Sequence, residues 1–264
     1  FERAGYTLEK WSVNADGSGT NYSLSGSFTP SSTNGVAYND STHTGAISLY
    51  AVWKAIDYTV NWNANGGTLT TTASSKTTQV DGTGLLPSSN PTRSGYTFAS
   101  WNTQANGSGT TVTASTAYNT LVSNNASTTS TTIYAIWTEN TVTIKFVADD
   151  HSKLTGPDGV TSTNGATVTY TIGEATGKIY SGSTATSYSV SSGITPSFDS
   201  GYEFDQWSAV SPGGTKLTSG VASNGKLTPT QTSGLYVNNT TYYLTSKPKE
   251  IAYRVEVYLE GLDS

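Results

Sequence analysis

The sequence predicts a mainly β protein, α+β at most, built as an elongated array of small tandem modules with short mixed or antiparallel sheets. Three observations predict it. One aromatic phrase recurs at three places. Apolar and polar residues alternate in short runs. Asp-Gly, Asn-Gly and Gly-Gly pairs punctuate those runs.

The recurring phrase is Gly-Tyr-x-(Leu/Phe)-x-x-Trp. It occurs as Gly5, Tyr6, Leu8 and Trp11, then Gly95, Tyr96, Phe98 and Trp101, then Gly201, Tyr202, Phe204 and Trp207. A second phrase follows each time: Leu49-Tyr50-Ala51-Val52-Trp53, Ile133-Tyr134-Ala135-Ile136-Trp137, and a weaker Tyr242-Tyr243-Leu244-Thr245. A third precedes the first: Tyr58 to Gly67 and, looser, Thr141 to Val147. Self-similarity of this kind marks repeat architecture. It divides the chain into 1–54, expected to lack its opening strand, a complete module at 55–138, a longer diverged module at 139–247, and a strand or linker at 248–264.

Each phrase reads as a strand. Val142, Ile144 and Phe146 alternate with Thr141, Thr143 and Lys145, the period of two of a half-buried strand. Tyr50 and Val52 alternate likewise, as do Tyr134 and Ile136. Trp62 shares the face of Tyr58 and Val60 and is expected in the core. The glycine of each Gly-Tyr phrase suits a left-handed or close-packed entry into the strand. Asp16-Gly17 and Asn106-Gly107 follow the phrase tryptophan at equal spacing and supply hairpin turns. Pro212-Gly213-Gly214 takes that place in the third module, and Asn65-Gly66-Gly67 is another hairpin signal. One short helical turn is expected through Ala117 to Val122, capped by Ser115 or Thr116. Ile251 to Leu259 alternates cleanly and reads as a strand, either finishing the third module or opening another domain.

Composition sets the limits on function. The 264 residues carry net charge −5, 12% charged side chains and 84 Ser and Thr. Only 46 are Leu, Ile, Val or Phe, yet 17 Tyr and 6 Trp can fill small aromatic-centred cores. There is no basic footprint for nucleic acid and no apolar run long enough to span a membrane. Without Cys there is no disulfide framework or thiolate metal site. No signal peptide is visible, so an export signal and anchor are expected outside this sequence.

Chemistry-bearing motifs are sparse. Asp149-Asp150-His151 reads as a solvated turn in preference to a cation site, because no spaced Asp/Asn series accompanies it, and Asp16-Gly17-Ser18-Gly19 reads as a hairpin turn, because Asn106 replaces the charge of Asp16 in the second module. His43 and His151 are the only imidazoles, and neither lies in a nucleophile pattern. No catalytic, cofactor-binding or metal residue is assigned, no cofactor is expected, and no enzyme activity is expected. Lys145 points away from the alternating apolar face, which argues against an internal Lys–Asn cross-link.

The phrases resemble the Listeria–Bacteroides repeat, of the B-repeat type in internalin-like bacterial surface proteins. The second module carries the resemblance best, through Tyr58 to Gly67, Pro91 to Phe98 with Trp101, and Ile133 to Trp137. The third lacks the Asn-Gly-Gly turn and the final Trp. The resemblance implies a β-grasp-like module strung in tandem on an exported, Gram-positive-type cell-surface protein, extracellular and wall-associated. It brings no catalytic residues. The leading expectation is a monomeric, non-enzymatic stalk that presents a distal binding region. The alternative is an adhesin that binds a host protein or glycan through an edge strand or an aromatic patch in 139–247. Tyr170, Tyr180, Tyr188 and Tyr236, near the long insertion Gly173 to Ile194, are the candidates for such a patch. The loops Thr68 to Thr78 and Asn124 to Thr132 are expected to be polar and mobile.

Overall fold

A computed structural model describes residues 1–27, 37–39, 41, 44–71, 73–122 and 129–250. His43, residues 124–128 of the expected loop and the expected strand Ile251 to Leu259 lie outside the described residues. Nearly all regular structure is β, with 45% strand and 3% helix. The chain divides into two compact units: Phe1–Arg93 with Thr97–Thr138, and Ser94–Tyr96 with the chain from Glu139 onward.

Ten strands come first: β1 (Tyr6–Ser12), β2 (Asn21–Tyr22), β3 (Ala37–Asn39), β4 (Thr44–Ala46), β5 (Tyr50–Ala55), β6 (Tyr58–Asn63), β7 (Ser75–Thr78), β8 (Tyr96–Asn102), β9 (Thr111–Val112) and β10 (Ser130–Glu139). They form a three-stranded sheet, β2-β1-β5, a two-stranded β3-β4 pair and a five-stranded sheet, β7-β6-β10-β8-β9. In the five-stranded sheet the segment's first and last strands run parallel side by side, with Ile133 opposite Trp62. The spatial order is second, first, fifth, third, fourth, as in a β-grasp sheet. The three-stranded sheet holds the counterparts of the third, fourth and fifth strands.

Eight strands follow: β11 (Thr141–Val147), β12 (Ser152–Thr155), β13 (Thr167–Gly173), β14 (Lys178–Ser181), β15 (Thr184–Ser189), β16 (Thr195–Phe198), β17 (Tyr202–Ala209) and β18 (Thr240–Pro248). The six-stranded sheet is ordered β15-β14-β13-β11-β18-β17, and β12 pairs separately with β16. Here too the opening strand lies parallel beside the closing one, with Phe146 opposite Tyr242. The insertion Gly173 to Ile194 is ordered: β14 and β15 extend the sheet as an antiparallel pair.

Alternation places the cores. In β11, Val142, Ile144 and Phe146 are buried and Lys145 is exposed. In β10 the buried pair is Ile133 and Ala135, while Tyr134 and Ile136 lie half-buried on the opposite face. One buried cluster gathers Tyr58, Val60, Leu85, Trp101, Tyr118, Ile133 and Ala135. Another gathers Ile144, Phe146, Leu154, Ile172, Trp207, Tyr242 and Leu244.

Two expectations are corrected. The turn after Thr113 is a single 3-10 turn, Tyr118–Thr120, and Ala117 precedes it with no side-chain cap. Thr116 is used elsewhere: its Oγ1 accepts from the Thr113 N–H at 2.8 Å. The stretches Thr68 to Thr78 and Asn124 to Thr132 are not loop throughout, because Ser130–Thr132 opens β10 and Ser75–Thr78 pairs with Tyr58–Asn61 as β7. Its Thr and Lys side chains gave no apolar alternation to reveal a strand on the sheet's edge.

Candidate functional site

The candidate site is the repeated aromatic framework itself. Its spacing has a physical basis in a β-bulge. Tyr and Leu/Phe, two apart, share a strand face, but Trp three further on should face the other way. In β1 the register against β5 slips between Leu8 and Lys10, which leaves Glu9 extra. Leu8 then lies opposite Trp53 and Trp11 opposite Ala51, both on one face. In β17 the slip falls between Phe204 and Gln206, with Asp205 extra, and Trp207 comes opposite Leu244. One added residue re-aims the tryptophan onto the face of its phrase partners.

The three tryptophans differ in depth. Trp101 is 2% exposed and Trp207 fully buried, whereas Trp11 is half-buried beside the edge of Phe1, with ring centroids 4.8 Å apart. The Trp207 indole donates to the Gly225 carbonyl at 2.7 Å. Tyr6, Tyr96, Tyr202, Leu8, Phe98 and Phe204 are half-buried. Tyr6 and Phe98 pack against the Trp101 cluster, and Phe204 packs against the Trp207 cluster. Trp62 is half-buried and donates its Nε1–H to the Leu85 carbonyl at 2.9 Å. Of the second-phrase residues, Tyr50 is exposed, while Trp53, Tyr134 and Trp137 are half-buried.

The residue after each tryptophan was not singled out by sequence reasoning. Ser12, Asn102 and Ser208 are all buried polar residues. Each holds the loop that follows. Ser12 Oγ accepts from the Asn14 N–H at 3.3 Å. Asn102 donates to the carbonyls of Gly107 and Gly109 and accepts from the Gln104 N–H. Ser208 Oγ donates to the Ser211 carbonyl at 2.8 Å. A polar residue at a position shared by all three phrases was the available signal.

Those loops are hydrogen-bonded turns. Asp16 Oδ1 accepts from the N–H and Oγ–H of Ser18, and Asn106 Oδ1 does the same for Ser108. The turn requires an oxygen acceptor, not a charge. Gly17 and Gly107 sit at φ 78° and 79°. Hydrogen bonds from Ser18 hold the Asp16 carboxyl below its ordinary range.

The Asp149-Asp150-His151 stretch is a structural corner. The Asp149 carboxylate accepts from the Ser152 hydroxyl at 2.6 Å, the Ser246 hydroxyl at 2.8 Å, and the backbone N–H of His151 and Ser246. Burial pushes this carboxyl up, but the donors outweigh burial and hold it below the ordinary range. The His151 ring stacks on Tyr202 with centroids 3.8 Å apart. Among the described residues no three His, Cys, Asp or Glu side chains gather as they would around a metal ion.

The four tyrosines proposed for an aromatic patch do not form one. Tyr170 is buried, and its hydroxyl donates to Asp158 at 2.7 Å. Tyr180 donates to Glu139 at 3.0 Å and Tyr236 to the Pro229 carbonyl at 3.2 Å. Only Tyr188 of the four is strongly exposed. Tyr170 lies in the core of the second unit and Tyr236 packs against it, while Tyr180 is half-buried and held by Glu139.

The fold is built of small β-sheets, and Trp101 and Trp207 of the repeated phrase lie in their cores. Residues 58–136 match the family model of the Listeria-Bacteroides repeat domain, a repeat typical of bacterial surface proteins. No curated protein matches the chain. No helix among the described residues is long and apolar enough to cross a membrane.

Proposed function

We propose that this chain is a non-enzymatic segment of a bacterial cell-surface protein, in which β modules in series act as a spacer that presents a distal binding region. The observation that carries the proposal is the way one sheet leads to the next. β5 ends at Ala55 and β6 begins at Tyr58; β10 ends at Glu139 and β11 begins at Thr141. Each closing strand therefore hands over to the next opening strand through one or two residues, with no slack linker. Connections this short suit modules arranged in series.

The framework supports the same reading. Most of its aromatic residues are buried or half-buried, with Tyr50 exposed, and three of the four tyrosine candidates for ligand stacking donate hydrogen bonds within the chain. The hydroxyl-rich, charge-poor surface suits an extracellular polymer-like environment, and the expected partners of the larger protein, a host protein or glycan, are engaged elsewhere than by this framework.

Small-angle scattering of the full chain tests the proposal. A compact chain of this length has a radius of gyration of about 18 Å. The spacer reading expects a clearly larger value and a scattering profile with a rod-like cross-section. A value near the compact one sinks it.

A further inference from the structure

The two large cores treat the polar atoms of their buried aromatic residues in opposite ways. In the second unit each is paired. The Trp207 indole donates to the Gly225 carbonyl at 2.7 Å, the Tyr170 hydroxyl to Asp158 at 2.7 Å and the Tyr242 hydroxyl to the Leu235 carbonyl at 2.8 Å. In the cluster around Trp101 the three buried ones are unpaired. The hydroxyls of Tyr58 and Tyr118 and the indole Nε1 of Trp101 are fully enclosed and meet no hydrogen-bond partner among the described residues. Their side chains belong to residues only 1%, 0% and 2% exposed.

The three converge on one core from separate elements. Tyr58 opens β6, Trp101 lies in β8 and Tyr118 opens the 3-10 turn. The rings of Tyr58 and Tyr118 pack with centroids 4.6 Å apart. Burial pushes the Tyr118 phenol up, and the nearness of Tyr58 adds to that. An enclosed polar group without a partner has lost its hydration with no compensation. Such groups are rare in native proteins, and each calls for a partner or a role. Three in one small core are a heavy load on a fold of marginal stability.

The atoms themselves specify the partner. An indole N–H only donates, whereas a phenol hydroxyl donates and accepts. A group that serves all three must accept from the indole and both give to and take from the phenols. It must be small, because the cluster is closed to solvent. It must be neutral, because burial there opposes negative charge. Water meets each condition.

We propose that the core of the five-stranded sheet holds internal water, bound by the hydroxyls of Tyr58 and Tyr118 and by the indole N–H of Trp101. Internal water of this kind is part of a fold, provided it has polar partners and room. The strand between β6 and β8 supplies the room. On the core face of β10 stands Ala135, where the corresponding phrase of the second unit carries the larger Leu244. The second core does without such a molecule. Ile56 and Asn140 make the same backbone bond, to the carbonyls of Gly5 and Gly95, and two residues on stand Tyr58 and Val142. Valine there brings no hydroxyl, and the Gly225 carbonyl already serves the indole. The site is independent of the spacer reading.

Oxygen-17 relaxation dispersion of the solvent tests the proposal on the full chain. It counts whole water molecules held inside a protein and ignores exchanging hydroxyl protons. The native chain should hold more long-lived water than the folded Tyr58→Phe/Tyr118→Phe chain. A cross-peak between water and the Trp101 indole proton should appear in the native chain, and its absence removes Trp101 from the site. If the double variant does not fold, Tyr118→Phe alone carries the comparison.

Urea unfolding, followed by amide exchange of residues 58–136, supplies the second readout. Each single Phe variant should raise the unfolding constant about tenfold, as loss of one partner of a buried hydrogen bond does. The double variant should raise it by less than the product of the two, because both hydroxyls hold the same water. Unpaired hydroxyls in a dry core give the reverse: their removal leaves stability unchanged or raises it. Equal long-lived water in the native and variant chains overturns the proposal. So do Phe variants at least as stable as the native chain. Added chloride that displaces the long-lived water makes the occupant an anion and overturns it as well.

Discussion

The indole of Trp137 rests on the α-carbon of Gly67. A Cβ there would stand 2.4 Å from the ring and 2.6 Å from the Thr92 carbonyl oxygen. The same indole donates to the Ala64 carbonyl at 3.0 Å, and Asn65 Nδ2 donates to the Ala135 carbonyl at 2.9 Å. The turn and the tryptophan are one device, which explains why the third module lacks both together.

Gly67→Ala should therefore destabilise the first unit by about 2 kcal/mol, the middle of the range for overpacking. Trp137→Leu in the same chain should recover part of that loss, because it removes the ring. Urea unfolding followed by amide exchange of residues 58–136 measures both. Equal stability of the single variant and the native chain would overturn the account.

Trp207→Ala should cost the second unit about 3–5 kcal/mol, as a large buried aromatic removed from a core does. It also leaves the Gly225 carbonyl without its indole donor. Trp11→Ala, at a half-buried site, should cost clearly less. Unit-resolved exchange in graded denaturant reads both, and the reverse order would contradict the burial.

The Asp16 turn needs an acceptor oxygen only. Asp16→Asn should leave exchange of the β1–β2 hairpin unchanged, while Asp16→Ala should accelerate it. Calcium added in millimolar excess should protect neither. Protection by calcium in the native chain alone would restore a cation site.

Asp149 makes the second unit sensitive to acid. Burial opposes its ionisation, but donors from Ser152, Ser246 and His151 hold its folded pKa below the unfolded value of about 3.9. Its contribution is complete above the unfolded pKa and is lost as pH falls through the lower folded value. Stability of the second unit should fall below about pH 4, and Asp149→Asn should lower the neutral plateau and flatten that decline. A native acid profile identical to the variant's would remove the role.

Tyr242 and Tyr170 act at the other extreme. Burial pushes the Tyr242 phenol up to about 12. Burial, reinforced by the hydrogen bond and charge of Asp158, pushes Tyr170 higher still. An unfolded tyrosine ionises near about pH 10, so their contribution is whole below that and disappears as pH rises through the folded values. Absorbance at 295 nm should show several delayed phenols, because burial also pushes Tyr118, Tyr180 and Tyr236 up, with Tyr242 and Tyr170 ionising last, together with loss of near-ultraviolet circular dichroism.

Much of the β framework was legible because its signals are local. Period-two alternation marked Thr141 to Val147, and the left-handed glycines marked Gly17, Gly66 and Gly107. β7 escaped because an edge strand of Ser, Lys and Thr need not bury a face. The cap of the 3-10 turn was misplaced because Thr116 had a competing partner in Thr113.

The sequence by itself determined the repeat, the strands and the acceptor-dependent turns, since each follows from residues within a few positions of one another. Only tertiary structure decided where the aromatics point. The bulges at Glu9 and Asp205 exist only against β5 and β18, and they turn a three-residue spacing into a shared face. Tyr170, Tyr180 and Tyr236 were drawn inward by Asp158, Glu139 and Pro229, partners 12, 41 and 7 residues away in sequence. Burial is a property of the assembled sheet, and no local pattern encodes which neighbour arrives.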